Sequence, residues 1–141
     1  MAFSFEEIRE AFSFFDGWEE KYAYLIELGQ NLPSFPAEEM TDKNKVEGCM
    51  SQVWLTAHEE NGRFLLNATS DAILVKGLIA LILSLYNEKT PQEILSVHIE
   101  EIFKELGLQD NLSPSRRNGF FSMVAKIQSL AEQKKNQTEN G

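Results

Sequence analysis

Apolar residues at the start of the chain recur every three or four positions, the spacing of one face of a helix. They are Phe5, Ile8, Phe12 and Phe15. Ser4 and Glu7 form a capping-box pattern at the start of this run, which predicts a first helix. Asp16 and Glu19 repeat the pattern before a second apolar face, and Gly29 offers a C-cap to a second helix.

Further along, β-branched and aromatic residues become frequent and the helical period is lost. Residues 52–58 and 63–69 are two such runs, and Asn61-Gly62 between them is a strong signal for a two-residue hairpin turn. A short segment around Val46 offers a third strand, which would leave Gly48 and Cys49 on a tight connection. The pattern therefore predicts a small antiparallel sheet of three strands.

The second half of the chain returns to helical patterning. We expect Ser70 to start a helix with Asp71 in its first turn, and this helix is apolar around almost its whole circumference, which is typical of a core helix. It is too short for a membrane span and is interrupted by Lys76. Thr90-Pro91 and Ser113-Pro114 each predict the start of a later helix.

The order of helices, a small sheet and more helices indicates an α+β fold. The chain has 141 residues, which is a common size for one domain. We therefore expect a single domain over residues 1–141, with a disordered polar tail from about residue 134.

Charge narrows the classes of partner. The net charge of −9 disfavours nucleic acid, because phosphate backbones attract clusters of Lys and Arg. Residues 1–30 carry a local balance of −5, whereas residues 114–135 carry +4. Solvated helix faces are the simple interpretation, and docking to a charged partner is the alternative. No targeting segment is apparent, which predicts a cytoplasmic protein without a membrane anchor.

A single cysteine, Cys49, is the only soft nucleophile. One thiol cannot form an internal disulfide, supply a thiolate metal site or hold an iron-sulfur cluster, so we expect no metal at this cysteine, and any cysteine chemistry needs a second molecule. A small buried hydrophobe is the structural interpretation of a lone cysteine. Gly48 before it permits unusual backbone dihedrals, and a turn can present or withdraw the thiol, which favours a chemical role.

Two alternatives for the chemistry are weak in this sequence. A cysteine hydrolase needs a histidine base beside the thiol, and neither His58 nor His98 is well placed along the chain. The glycines are scattered and form no phosphate-binding loop, so nucleotide chemistry is not indicated.

Two charged residues are further candidates. Asp71 could be a functional acid, although an N-terminal helix position explains it without function. Arg116 lies at a predicted helix start, where a cation opposes the helix dipole, so it is either an anion-binding residue or a solvent-facing side chain.

Three ordered segments carry a resemblance to a known family. They are residues 45–54 (KVEGCMSQVW), 70–78 (SDAILVKGL) and 112–119 (LSPSRRNG). Together they resemble the motifs of the SufE family, the sulfur-acceptor proteins of iron-sulfur cluster biogenesis. Met50 departs from the family pattern, where Gln is common. The resemblance implies an α+β fold in which a small antiparallel sheet packs against several helices, related to the NifU-type scaffolds.

The resemblance also implies a function. Cys49 would accept sulfane sulfur as a persulfide from a SufS-type cysteine desulfurase and pass it to a SufB-type cluster scaffold. The pyridoxal phosphate would belong to the desulfurase, and this chain would have no cofactor of its own. The chain would then be an accessory sulfur-transfer protein rather than a stand-alone enzyme, and a monomer or weak dimer. Gly48, Ser51, Gln52, Asp71 and Arg116 would hold the loop or contact the partner.

The cysteine count fits such a carrier, because a second thiol could attack the Cys49 persulfide and release its sulfur as sulfide. The alternative from another class is a non-catalytic adaptor or scaffold module that binds a desulfurase or a cluster-assembly protein. Replacing Cys49 separates the two hypotheses.

Overall fold

The computed structural model describes the backbone of residues 4–140 and the side chains of residues 4–137. Seven helices and two strands follow one another along the described chain. In order they are α1 (Phe5–Phe14), α2 (Trp18–Gln30), β1 (Val53–Glu60), β2 (Arg63–Ser70), α3 (Ile73–Tyr86), α4 (Pro91–Leu95), α5 (Ile99–Glu105), α6 (Leu108–Asn111) and α7 (Pro114–Asn140). Short 3₁₀ turns at Ala37–Glu39 and Asp42–Asn44 interrupt the loop between α2 and β1. The α+β prediction is confirmed.

Three helices begin at the capping residues that the sequence indicates. The Ser4 hydroxyl accepts a hydrogen bond from the backbone N of Glu7 at 3.2 Å at the start of α1. Thr90 and Glu93 form a reciprocal capping box at the start of α4. At α7, the Ser113 hydroxyl accepts from the backbone N of Arg116 at 3.3 Å. These bonds satisfy N–H groups that a first helical turn leaves unpaired.

The hairpin of β1 and β2 also forms as predicted. The strands pair antiparallel from Val53 with Ser70 to Glu60 with Arg63. Asn61 and Gly62 take φ values of 55° and 78°, the left-handed conformation that a two-residue turn of type I′ requires.

The predicted third strand is wrong, because the sheet within residues 4–140 has two strands and the segment around Val46 adds only an isolated bridge between Lys45 and Trp54. The Val46 N donates to the Val53 O at 2.9 Å. A 3₁₀ turn ends just before Lys45 and another turn begins at Glu47, so too few extended residues remain for a strand.

Helix α3 lies at the centre of the core and packs against α2, β2 and α7. The backbones of α2 and α3 approach very closely where Gly29 meets Gly77. A Cβ atom on Gly77 would lie 2.3 Å from the Leu25 carbonyl oxygen, and one on Gly29 would lie 2.7 Å from the Gly77 N. Gly29 therefore lies inside α2 as a packing residue, and the prediction that it is the C-cap is wrong.

The start of α2 also differs from the prediction. Gly17 is the N-cap residue, and no side chain caps the helix. The Glu20 carboxylate accepts a hydrogen bond from the backbone N of Asp16 at 3.3 Å. The Asp16 side chain makes no capping bond to the helix in return. The helix begins at Trp18, two residues beyond the predicted cap Asp16.

The C-terminal segment differs from the expected disordered tail, since α7 continues as a helix to Asn140. Lys134 forms an ion pair with Glu59 of β1 at 3.2 Å, which ties the last turns of the helix to the hairpin. No helix within residues 4–140 is both long enough and apolar enough to cross a membrane.

Candidate functional site

Cys49 lies on the turn that joins the Lys45 bridge to β1. Gly48 takes φ +88°, which is a left-handed conformation that side chains rarely adopt. A Cβ atom at this position would also lie 2.5 Å from the Ser122 hydroxyl of α7. Glycine at position 48 therefore allows the turn to lie against α7 and to bring Cys49 to that helix.

The Cys49 thiol is half-buried against the first turns of α7. Its Sγ atom donates a hydrogen bond to the Gly119 carbonyl oxygen at 3.7 Å. A Cβ atom on Gly119 would lie 3.4 Å from the same sulfur, so the absence of a side chain at Gly119 leaves space beside the thiol.

A small cavity of about 40 Å³ opens beside Cys49. Its deeper wall is apolar and comes from β1, α3 and α7, with Val53, Val75, Leu78, Ile82, Phe120 and Met123. Its remaining lining comes from the Cys49 turn and the start of α7, with Met50, Ser51, Ser115, Arg116 and Gly119. The thiol thus faces an apolar space that has polar groups at one side.

Burial raises the pKa of the Cys49 thiol above its usual value, because desolvation disfavours the thiolate. No neighbouring charge is among the causes of this shift. In the free protein the thiol is therefore held mainly in its neutral form at neutral pH, and an incoming group must activate it.

Asp71 does not lie in the first turn of a helix, so that prediction is wrong. The helix begins at Ile73 after Ala72, and the Ser70 hydroxyl accepts a hydrogen bond from the Ala72 N at 3.2 Å. The Asp71 carboxylate instead accepts from the Gln52 N at 3.1 Å, and the Asp71 N donates to the Gln52 O at 3.2 Å. Asp71 thus clamps the end of the Cys49 turn to the start of α3.

Arg116 is the third residue of α7, and its exposed side chain lines the Cys49 cavity. No carboxylate within the described residues forms an ion pair with it. The structure therefore brings a free guanidinium to the edge of the thiol cavity, where it can attract an anion.

Two exposed apolar side chains beside the site were not singled out as site residues from the sequence. Met50 is 85% exposed and Ile73 is 66% exposed, although both belong to large hydrophobic residue types. Met50 follows Cys49 directly, and Ile73 begins α3 just after the Asp71 clamp. The sequence marks Met50 only as a departure from the family pattern, and it places Ile73 on a helix expected in the core, so neither was expected to form an exposed surface.

The histidines lie elsewhere. His58 is in the middle of β1 and lines a separate cleft with residues of α7, and His98 precedes α5. Neither is among the described residues that line the Cys49 cavity, so the structure does not assemble a cysteine-histidine pair. Within the described part of the chain, no three His, Cys, Asp or Glu side chains are grouped so that they could hold a metal ion.

Comparison with known proteins places this chain in a family. A family model for SufE, described as an Fe-S metabolism associated domain, matches residues 6–131. The chain belongs to the SufE family. This membership links the SufE-family chain to iron-sulfur metabolism.

Relatives of this SufE-family chain include two uncharacterised SufE-like proteins. One, from Rhizobium meliloti strain 1021, is 42% identical over 133 residues, which cover 92% of this chain and 95% of the relative. The other, from Rhizobium etli, is 44% identical over 133 residues, covering 92% of this chain and 90% of the relative. A solution structure of a hypothetical protein from Thermus thermophilus has the same fold, with a TM-score of 0.73, 20% identity and coverage of 92% and 93% of the two chains.

Proposed function

We propose that this SufE-family chain accepts sulfur from a SufS-type cysteine desulfurase, activates that enzyme, and passes the sulfur to a SufB-type cluster-assembly scaffold. The observation that carries the proposal is the position of the single thiol. Cys49 lies on a turn at the protein surface, half-buried beside an apolar cavity that a free Arg116 guanidinium borders.

The reaction is a thiol-persulfide exchange and needs no external oxidant or reductant. The Cys49 thiolate attacks the terminal sulfur of the donor's persulfide, a new S–S bond forms on Cys49, and the donor's S–S bond breaks. The donor cysteine leaves as a thiolate and can take the proton that Cys49 released. A later acceptor thiol removes the outer sulfur from Cys49 in the same way.

The surroundings of Cys49 suit a carrier that must keep its cargo. The raised pKa of the thiol limits its reactivity until a donor arrives. No second cysteine exists in the chain, so no internal thiol can attack the persulfide and release sulfide. The open space beside Gly119 and the apolar cavity provide room for one added sulfur atom away from water.

A donor that reaches the Cys49 sulfur must contact the side chains around the turn. Met50 and Ile73 present exposed apolar surface there, and Arg116 presents a positive charge. Exposed apolar residues next to a reactive group are typical of protein-binding surfaces. We infer that the desulfurase docks on this surface, with its own apolar residues over Met50 and Ile73 and an acidic group near Arg116.

The function is tested by mixing the chain with a cysteine desulfurase and cysteine and measuring intact mass. We expect wild type to gain the mass of one sulfur atom, removable by a reducing agent, and Cys49→Ser to gain none. The same variant should lose stimulation of the desulfurase. Ser129→Ala, an exposed change on α7 distant from the Cys49 turn, is the matched control and should behave as wild type.

The competing function is a non-catalytic adaptor that only binds the desulfurase or a cluster-assembly protein. An adaptor predicts that Cys49→Ser stimulates the desulfurase as well as wild type does and that no sulfur is found on Cys49. That pair of results would exclude the carrier.

A further inference from the structure

Met50 has the greatest exposed fraction among the large hydrophobic side chains that the structure describes. It is 85% exposed, whereas Phe14 is 73% and Ile73 is 66% exposed. Met50 follows Cys49 directly on the turn before β1, and it also lines the Cys49 cavity. A thioether sulfur, which oxidants attack, therefore lies at the surface one residue from the reactive thiol.

The other methionines are less accessible. The chain has four methionines, and Met1 lies outside the described residues. Met40 is 40% exposed, and Met123 is buried in the core at 2%. A dissolved peroxide must reach the sulfur atom itself, so exposure orders the rates of oxidation. Met50 is therefore the described methionine that a peroxide oxidises first.

Oxidation of a thioether by hydrogen peroxide is balanced without any other reactant. The sulfur lone pair attacks one peroxide oxygen, the O–O bond breaks, and both hydrogen atoms of the peroxide leave in one molecule of water. The sulfur loses two electrons and becomes a sulfoxide, and the peroxide is reduced. A methionine sulfoxide reductase reverses the change.

The Cys49 thiol responds to peroxide differently. Its first oxidation product is a sulfenic acid, which small thiols return to the thiol, whereas a sulfoxide persists until a dedicated reductase removes it. The raised pKa of Cys49 also keeps the peroxide-reactive thiolate scarce. Oxidation of Met50 therefore outlasts oxidation of its neighbour.

The sulfoxide changes the surface that the donor must contact. In the proposed function the desulfurase covers Met50 and Ile73 with apolar residues of its own. A sulfoxide oxygen is a strong acceptor, and covering it with apolar atoms removes its hydrogen bonds to water without replacing them. The core is not affected, because Met50 is 85% exposed. Oxidation therefore weakens docking and leaves the fold intact.

We propose that Met50 is a reversible oxidation site that controls docking of the sulfur donor. Hydrogen peroxide converts Met50 to the sulfoxide, the donor docks more weakly, and sulfur uptake by Cys49 slows. Reduction of the sulfoxide restores docking. The inference rests on the proposed sulfur transfer from a desulfurase, and it adds control of that transfer by oxidants.

The test compares sulfur uptake before and after oxidation. Cys49 is first blocked as a methyl disulfide, the chain is treated with millimolar hydrogen peroxide, and dithiothreitol then releases the thiol. Peptide mass mapping should find the added oxygen on Met50 before Met40, with Met123 unmodified. With a cysteine desulfurase and cysteine, the oxidised chain should need a several-fold higher concentration for half-maximal uptake, at an unchanged maximal rate. Reductases for both sulfoxide epimers should restore the original concentration dependence.

Three substitutions assign the effect to one residue. Met50→Leu stays apolar and has no sulfur, so peroxide treatment should leave its uptake at its own untreated value. Met50→Gln has a neutral polar side chain with an oxygen acceptor, so the untreated variant should resemble oxidised wild type. Met40→Leu removes the next most exposed of the described methionines, and its uptake should still fall after treatment as that of wild type does.

The inference is overturned if Met40 or Met123 is oxidised ahead of Met50, or if oxidised wild type keeps its concentration dependence. It is also overturned if treated Met50→Leu slows as wild type does. A wild type that takes up no sulfur before treatment refutes the proposed function instead. Binding of the untreated and oxidised chains to the desulfurase, measured without cysteine, then decides the inference, and equal binding overturns it.

Discussion

The Cys49 thiol donates a hydrogen bond to the carbonyl oxygen of Gly119, 3.7 Å away, across 70 residues of sequence. This contact joins the turn before β1 to the first turns of α7 and holds the sulfur beside the apolar cavity. The two glycines next to the contact make it possible, because Gly48 lets the turn lie against α7 and Gly119 leaves space beside the sulfur.

Gly119→Ala should separate stability from sulfur transfer. Alanine in a helix interior is more favourable than glycine by about 1 kcal/mol, and its Cβ would lie 3.4 Å from the Cys49 sulfur, which is an ordinary contact. Urea unfolding should therefore show an unchanged or higher stability. A persulfide on Cys49 has an additional sulfur atom and loses that room, so loading by a desulfurase should slow several-fold. Faster or unchanged loading would show that the extra sulfur lies elsewhere.

Asp71→Ala should release the Cys49 turn. The carboxylate bond to the Gln52 N is lost, which costs about 1 kcal/mol of stability, and the turn loses its side-chain clamp to α3. We expect Cys49 to react several-fold faster with iodoacetamide. Asp71→Asn keeps an oxygen acceptor in the same position and should react nearly as wild type does. Equal rates for all three proteins would mean that the clamp does not control access to the thiol.

The pH dependence of Cys49 follows from its burial. Because the folded state raises the pKa of the thiol, alkylation at a given pH should be slower in the folded chain than in urea, and should accelerate at higher pH. The same shift contributes stability that is complete below the pKa of the unfolded thiol and is lost as pH rises through the folded pKa. Cys49→Ala should lack that loss. Alkylation at neutral pH that is as fast in the folded as in the unfolded chain would contradict the burial.

Arg116→Ala should slow sulfur uptake from the donor several-fold, because it removes the positive charge that we propose meets an acidic group of the donor. The guanidinium lies at the cavity edge and has no carboxylate partner among the described residues, so it is available for that contact. The rate should also become less sensitive to added salt. Arg117→Ala is the matched control, since this neighbouring arginine donates to the Gln109 carbonyl oxygen at 3.5 Å and does not line the cavity. Equal effects of the two substitutions would indicate a general effect of charge on α7.

Local signals in the sequence determined much of the fold. The capping residues Ser4, Thr90 and Ser113 and the turn Asn61-Gly62 lie where short-range hydrogen bonds and backbone dihedrals decide the structure, so a single sequence suffices to find them. Three contiguous motifs, of which the one around Cys49 also gives the candidate nucleophile, carried the family resemblance for the same reason. The residues of each motif are contiguous in the chain.

Only the tertiary structure decided what surrounds the thiol. The bond from Cys49 to Gly119, the clamp of Asp71 on Gln52 and the close approach of Gly29 and Gly77 each join residues far apart in the chain. The same is true of the size of the sheet, since whether the segment around Val46 forms a strand or only a bridge to Trp54 depends on where neighbouring turns begin and end. Such contacts depend on how helices and strands pack together, and residue spacing along one element carries no information about them.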